Sequence, residues 1–107
     1  MAWFALLAAG LLEVVWSYFM KVSDGFRNLT PSIITIVAMI ASFVLLAYAM
    51  RSLPLGTAYV IWTGIGAVGA FIVGIMFLNE QISALRILAA ILIISGMVLM
   101  KITAHTS

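Results

Sequence analysis

LGTAYVIWTGIGAVGAFIVGIMFL, residues 55–78, is 24 residues long and carries no charge. A water-soluble helix of that length needs a polar face, and none can be drawn here. Crossing a bilayer core of about 30 Å takes roughly 20 helical residues. The stretch therefore reads as a membrane span, with Pro54 at its start and Asn79-Glu80-Gln81 at its end. It also contains Gly64-Ile-Gly66-Ala-Val-Gly69, which matches G-x-G-x-x-G. Dinucleotide binding needs that motif after a strand in a polar βαβ unit, so inside a span the match is fortuitous. Small residues here serve close helix packing or a bend that acts as a hinge, and both readings stay open for Gly64, Gly66 and Gly69.

Three more stretches have the same character. They run over about 2–20, 31–50 and 84–102, with Thr30 and Ser83 as N-cap candidates and Pro31 at a first helical position. The 107 residues are 66% apolar and 7% charged, whereas soluble domains average about 25% charged. A soluble chain this small has too much surface for its volume to hide so much apolar area. The expectation is an all-α membrane protein, one transmembrane domain over 1–107 with four transmembrane helices. A β-barrel would need alternating segments of about 10 residues, and these runs do not alternate. The N-terminal MAWFALLAAG lacks a basic lead and a cleavage site, so it reads as the first span and not as a removed signal.

The links are short: Lys21–Thr30, Arg51–Pro54 and Asn79–Ser83 hold ten, four and five residues. Neighbouring helices are then antiparallel. Lys21, Arg27 and Arg86 fall on one side and Arg51 and Lys101 on the other, three against two. The positive-inside rule needs an imbalance, and this one is minimal. The balance predicts insertion both ways round and pairing of two copies as an antiparallel, dual-topology homodimer, an inverted repeat made from separate chains. The net charge of +2 is scattered, which speaks against nucleic acid as a partner.

Glu13 is the one acid inside a span. An ionisable residue there normally faces protein or water and marks an ion pathway. Loss of water disfavours a carboxylate relative to its acid, so such a group is suited to exchanging protons for a cation. Gly10, Trp16 and Ser17 lie at i−3, i+3 and i+4 on the same face. Tyr59, Trp62 and Thr63 cluster in the third span, and Ser42 is the mid-membrane hydroxyl of the second. Aromatic walls with a carboxylate make a cation site. The small residues Ala89, Ala90, Ser95 and Gly96 mark the fourth span for helix pairing. Asp24, Arg27 and Glu80 read as solvated, Arg86 and Lys101 as snorkelling to opposite headgroup layers, and His105 as inert. No Cys exists and no His lies in a span, so neither a metal centre, a cofactor nor an enzyme's nucleophile–base set is expected. A passive channel, with Glu13 as a selectivity charge, and a structural subunit are the remaining rivals.

These residues resemble a known family. GLLEVVW around Glu13, K-x-S-x-GF-x-x-L-x-PS over Lys21–Ser32 and LP-x-GTAY-x-IWTGIGAVGA over Leu53–Ala70 are similar to the small multidrug resistance transporters, and most of all to their guanidinium-exporting branch. Gly96 and Lys101 fit as well. The resemblance implies a proton-coupled antiporter that exports guanidinium from a bacterial inner membrane as a multi-pass antiparallel homodimer. It implies Glu13 as the shared proton and substrate site, and Gly10, Trp16, Ser42, Tyr59, Trp62 and Thr63 as the pocket. The alternative within the family is a broader exporter of substituted guanidiniums and quaternary ammonium compounds. Trp16 and Ser42 favour the guanidinium branch, and Ser17-Tyr18-Phe19-Met20 is bulkier than the family's usual pattern there.

Overall fold

A computed structural model of the chain describes residues 1–104, and His105 lies outside them. Four helices follow one another: α1 (Ala2–Val22), α2 (Leu29–Ala49), α3 (Leu55–Leu78) and α4 (Ala84–Ala104). Among the described residues there is no strand. All four helices are long and apolar enough to cross a membrane.

The helix ends follow from capping chemistry. Ser83 caps α4, its Oγ accepting the Arg86 N–H at 3.2 Å. At α2 the expected Thr30 cap gives way to Asn28, which is extended (φ −95°, ψ 124°) and leaves Thr30 inside the first turn. The Asn28 carbonyl accepts both the backbone N–H and the hydroxyl of Ser32, at 3.1 and 2.6 Å. Pro31 tolerates this shift because the first N–H groups of a helix have no intrahelical acceptor. α1 continues past Met20 to Val22, with Lys21 in a last turn that favours a cation.

The α1–α2 link turns on three consecutive residues with left-handed backbone, Asp24 (φ 53°), Gly25 (φ 68°) and Phe26 (φ 68°). Only glycine takes that conformation freely, and Ser23 braces the turn at Phe26. Fully buried, its hydroxyl donates to the Met20 carbonyl at 2.7 Å and accepts the Phe26 N–H at 3.0 Å.

α1 packs on α2 and α3, while the α4 backbone lies against α3 alone and reaches α1 only through side chains, Lys101 over the Trp3 ring among them. The buried core sits toward one end, where Leu6 and Ala9 of α1 meet Leu46 and Ala49 of α2 and Ala58, Ile61 and Trp62 of α3. The molecule measures 45 × 35 × 16 Å. The chain is therefore flattened along one axis, though more than one helix layer thick, since α2 and α3 touch each other as well as α1. A flattened body leaves broad apolar faces, and α4 buries none of its span within the chain.

Candidate functional site

α1 and α3 run parallel and interlock through glycine. A Cβ at Gly10 would strike Ile65, one at Gly66 would strike the Glu13 carboxyl, and one at Gly69 would strike Val14. Gly66 thus makes the space that Glu13 occupies. Glu13 is partly buried, and its Oε1 is fully buried without a hydrogen-bond partner. The Trp16 indole Nε1 is in the same condition. A buried polar atom without a partner is costly, and here two lie one helical turn apart on the same face of α1. One is an acceptor and the other a donor.

Across from them a second polar group joins three helices. The Ser42 hydroxyl is buried on α2, donates to the Ala9 carbonyl of α1 at 2.7 Å and accepts the Trp62 Nε1–H of α3 at 3.0 Å. Its one proton is committed to the backbone. Trp62 precedes Gly66 by four residues, about 6 Å along the axis, so the Ser42–Trp62 pair lies roughly one turn from the carboxyl. The Thr63 hydroxyl turns into its own helix, donating to the Tyr59 carbonyl at 2.7 Å.

The aromatic residues form a continuous row. Ring centroids of Trp16 and Phe43 are 6.5 Å apart, those of Phe43 and Trp62 5.8 Å, and those of Trp62 and Tyr59 5.6 Å. Tyr59 and Phe43 stay about half exposed, while Trp62 is buried. Sequence reasoning missed Phe43, which links the tryptophans of α1 and α3. Its adjacency to Ser42 was the available signal, but one phenylalanine in an apolar span reads as packing.

The α3 glycines serve two neighbours. Gly66 and Gly69 admit α1, whereas Gly64 faces α4, where a Cβ would strike Met97. α3 is helical without a break from Leu55 to Leu78, so close packing accounts for these residues in this conformation. Of the other charges, Lys101 lies 5.0 Å from the centroid of the Trp3 ring. The Glu80 carboxylate closes on Gly74. The described residues hold no His/Cys/Asp/Glu group able to bind a metal.

Fold and site together define a multi-pass membrane protein with one intramembrane carboxyl beside a row of aromatic rings, a setting that suits a cation. The family model described as Small Multidrug Resistance protein matches residues 1–94, and the chain belongs to that family. It is 57% identical over 105 residues to a protein of Salmonella typhimurium named Guanidinium exporter, covering 98% of this chain and all of that one. Proteins of the same name from Citrobacter freundii, 56% identical over 105 residues, and Yersinia pseudotuberculosis, 59% over 104, match over 98% and 97% of this chain and all of theirs. The chain is a multi-pass protein of the bacterial inner membrane.

Proposed function

We propose that this chain exports guanidinium in exchange for protons, with Glu13 as the group both ligands share, and that it works as an antiparallel, dual-topology homodimer. The observation that carries the reading is the Glu13 carboxyl, seated against Gly66 with a buried, unpartnered oxygen one turn from Trp16. An isolated carboxyl in that position gains from a proton or from a cation, and it cannot hold both. Exchange follows from that exclusion.

Guanidinium suits the surroundings. It is planar, and its N–H groups point outward to meet a carboxylate bidentately. Its weakly hydrated faces stack on aromatic rings such as those of Trp16, Phe43, Trp62 and Tyr59. The Trp62 N–H is held by Ser42, which fixes its buried ring behind Phe43 and Tyr59, the more exposed faces of the row. A quaternary ammonium has no N–H and would use only charge and apolar room.

The pairing is supported by the flattened shape and by α4, which packs closely on α3 alone and buries none of its span within the chain. A second copy laid antiparallel over the open face would enclose the carboxyls of both chains. The near-equal division of Lys and Arg permits both orientations.

The test is transport in sealed proteoliposomes carrying a proton gradient, with guanidinium, a monoalkyl guanidinium and a quaternary ammonium compared side by side. Uphill guanidinium movement that collapses with the proton gradient supports the reading. Passive guanidinium flux indifferent to that gradient makes the protein a channel. Equal transport of all three makes it a broad exporter.

A further inference from the structure

A cavity opens at the end of the molecule formed by the α1 C-terminus, the end of α3 and the start of α4, and its inner end at Ser17 and Ala67 comes within about one helical turn of the Glu13 seat at Gly66. It is a cleft of about 560 Å³. Its mouth carries Lys21 and Arg86, with Glu80 beside them. The Arg86 guanidinium is placed 6.0 Å from the centroid of the Phe71 ring, which lines the same cleft. The Glu80 carboxylate rests against Gly74. Two cations against one anion leave the mouth with a net positive charge. Below it the walls are apolar, reaching Ala67 on α3 and Ile93 on α4.

Depth identifies the occupant. Along α3 the lining runs from Leu78 at the mouth to Ala67, about 16 Å at 1.5 Å per residue. Half of a hydrocarbon core of about 30 Å is about 15 Å. With Lys21 and Arg86 placed at a headgroup layer, the cleft would reach about the midplane, the reach of one lipid tail in one leaflet. The opposite end offers a contrast. There the groove of about 320 Å³ beside Trp3 and Lys101 has one basic residue and no second cation beside it.

We propose that the cleft between α1, α3 and α4 is a binding site for an anionic phospholipid, whose phosphate sits between Lys21 and Arg86 and one of whose acyl chains fills the groove down to Ala67 and Ile93. The lipid joins α4 to α1 at an end where their backbones stay apart; the direct contact between the two helices, Lys101 over the Trp3 ring, lies at the other end. In an antiparallel pair the two sites fall in opposite leaflets.

Native mass spectrometry of the purified full chain, exposed to phosphatidylglycerol or phosphatidylcholine, tests this without measuring transport, so its outcome is independent of the function proposed above. Wild type should retain phosphatidylglycerol preferentially. K21Q/R86Q should reduce that preference about fivefold per cation removed, the effect of one basic residue at an anionic surface, and K101Q should leave it unchanged. A90F, which fills the groove without altering charge, should expel phosphatidylglycerol and phosphatidylcholine alike. Undiminished phosphatidylglycerol retention by K21Q/R86Q or by A90F overturns the proposal. So does A90F that abolishes dimers while lipid retention persists, since the groove would then be covered by a second copy.

Discussion

Replacing Ser42 with alanine should loosen three helices at once. The hydroxyl ties α2 to α1 through the Ala9 carbonyl and α2 to α3 through the Trp62 indole. Interhelical hydrogen bonds in membranes average about 0.6 kcal/mol, so losing both costs about 1.2 kcal/mol. The Ala9 carbonyl keeps its helical bond from the Glu13 N–H and is not stranded. The Trp62 N–H is stranded, in a side chain only 7% exposed, which adds about 1–3 kcal/mol. The sum for Ser42→Ala is about 2–4 kcal/mol. Trp62→Phe removes the stranded donor, so adding it to Ser42→Ala should cost about 2–4 kcal/mol less than making it in wild type, the lost bond plus the relieved donor. Equilibrium unfolding in bicelles by added SDS, on the four members of the cycle, measures both figures. A Ser42→Ala chain as stable as wild type but weak in guanidinium binding would refute the reasoning, because the hydroxyl would then serve the cation and not the helices.

Glu13→Gln keeps the shape beside Gly66 and removes the titrating group; it should fold, and proteoliposome assays should show no uphill guanidinium transport, whereas retained uphill transport would rule out a shared site. Gly66→Ala puts a methyl group where the Glu13 carboxyl lies; overpacking of this kind costs about 1–3 kcal/mol, and guanidinium affinity by titration calorimetry should fall, while an unchanged affinity would mean the carboxyl does not depend on that seat. Reporter fusions at the C-terminus should read out on both membrane faces, and two lysines added to the α1–α2 link should bias them to one; a wild type with a single orientation would exclude dual topology.

The four spans could be read directly because charge is excluded from long stretches, and only membrane helices sustain that. Glu13 stood out for the same reason: against an apolar background one acid is conspicuous. What stayed hidden depends on direction, which composition does not carry. Gly64 and Gly66 look alike in sequence but face different helices, because two residues turn a helix by about 200°. Ser42 and Thr63 are both hydroxyls near aromatic rings, yet one bridges helices and the other bonds its own backbone. Phe43 gains meaning only from the tryptophans on either side of it, which belong to other helices. The start of α2 was misread because Thr and Asn are both good caps, and the choice fell to the earlier one, whose carbonyl Ser32 engages twice.

The 16 Å thickness of the chain has a thermodynamic corollary. A body this flat has a small interior, and in the proposed pair a part of its cohesion would come from the second copy. Folding and association then become a single equilibrium, governed by how many chains share a given area of lipid. Dilution into excess bilayer would then act on such a pair much as denaturant acts on a soluble protein, and α4, with none of its span buried within the chain, would feel it first.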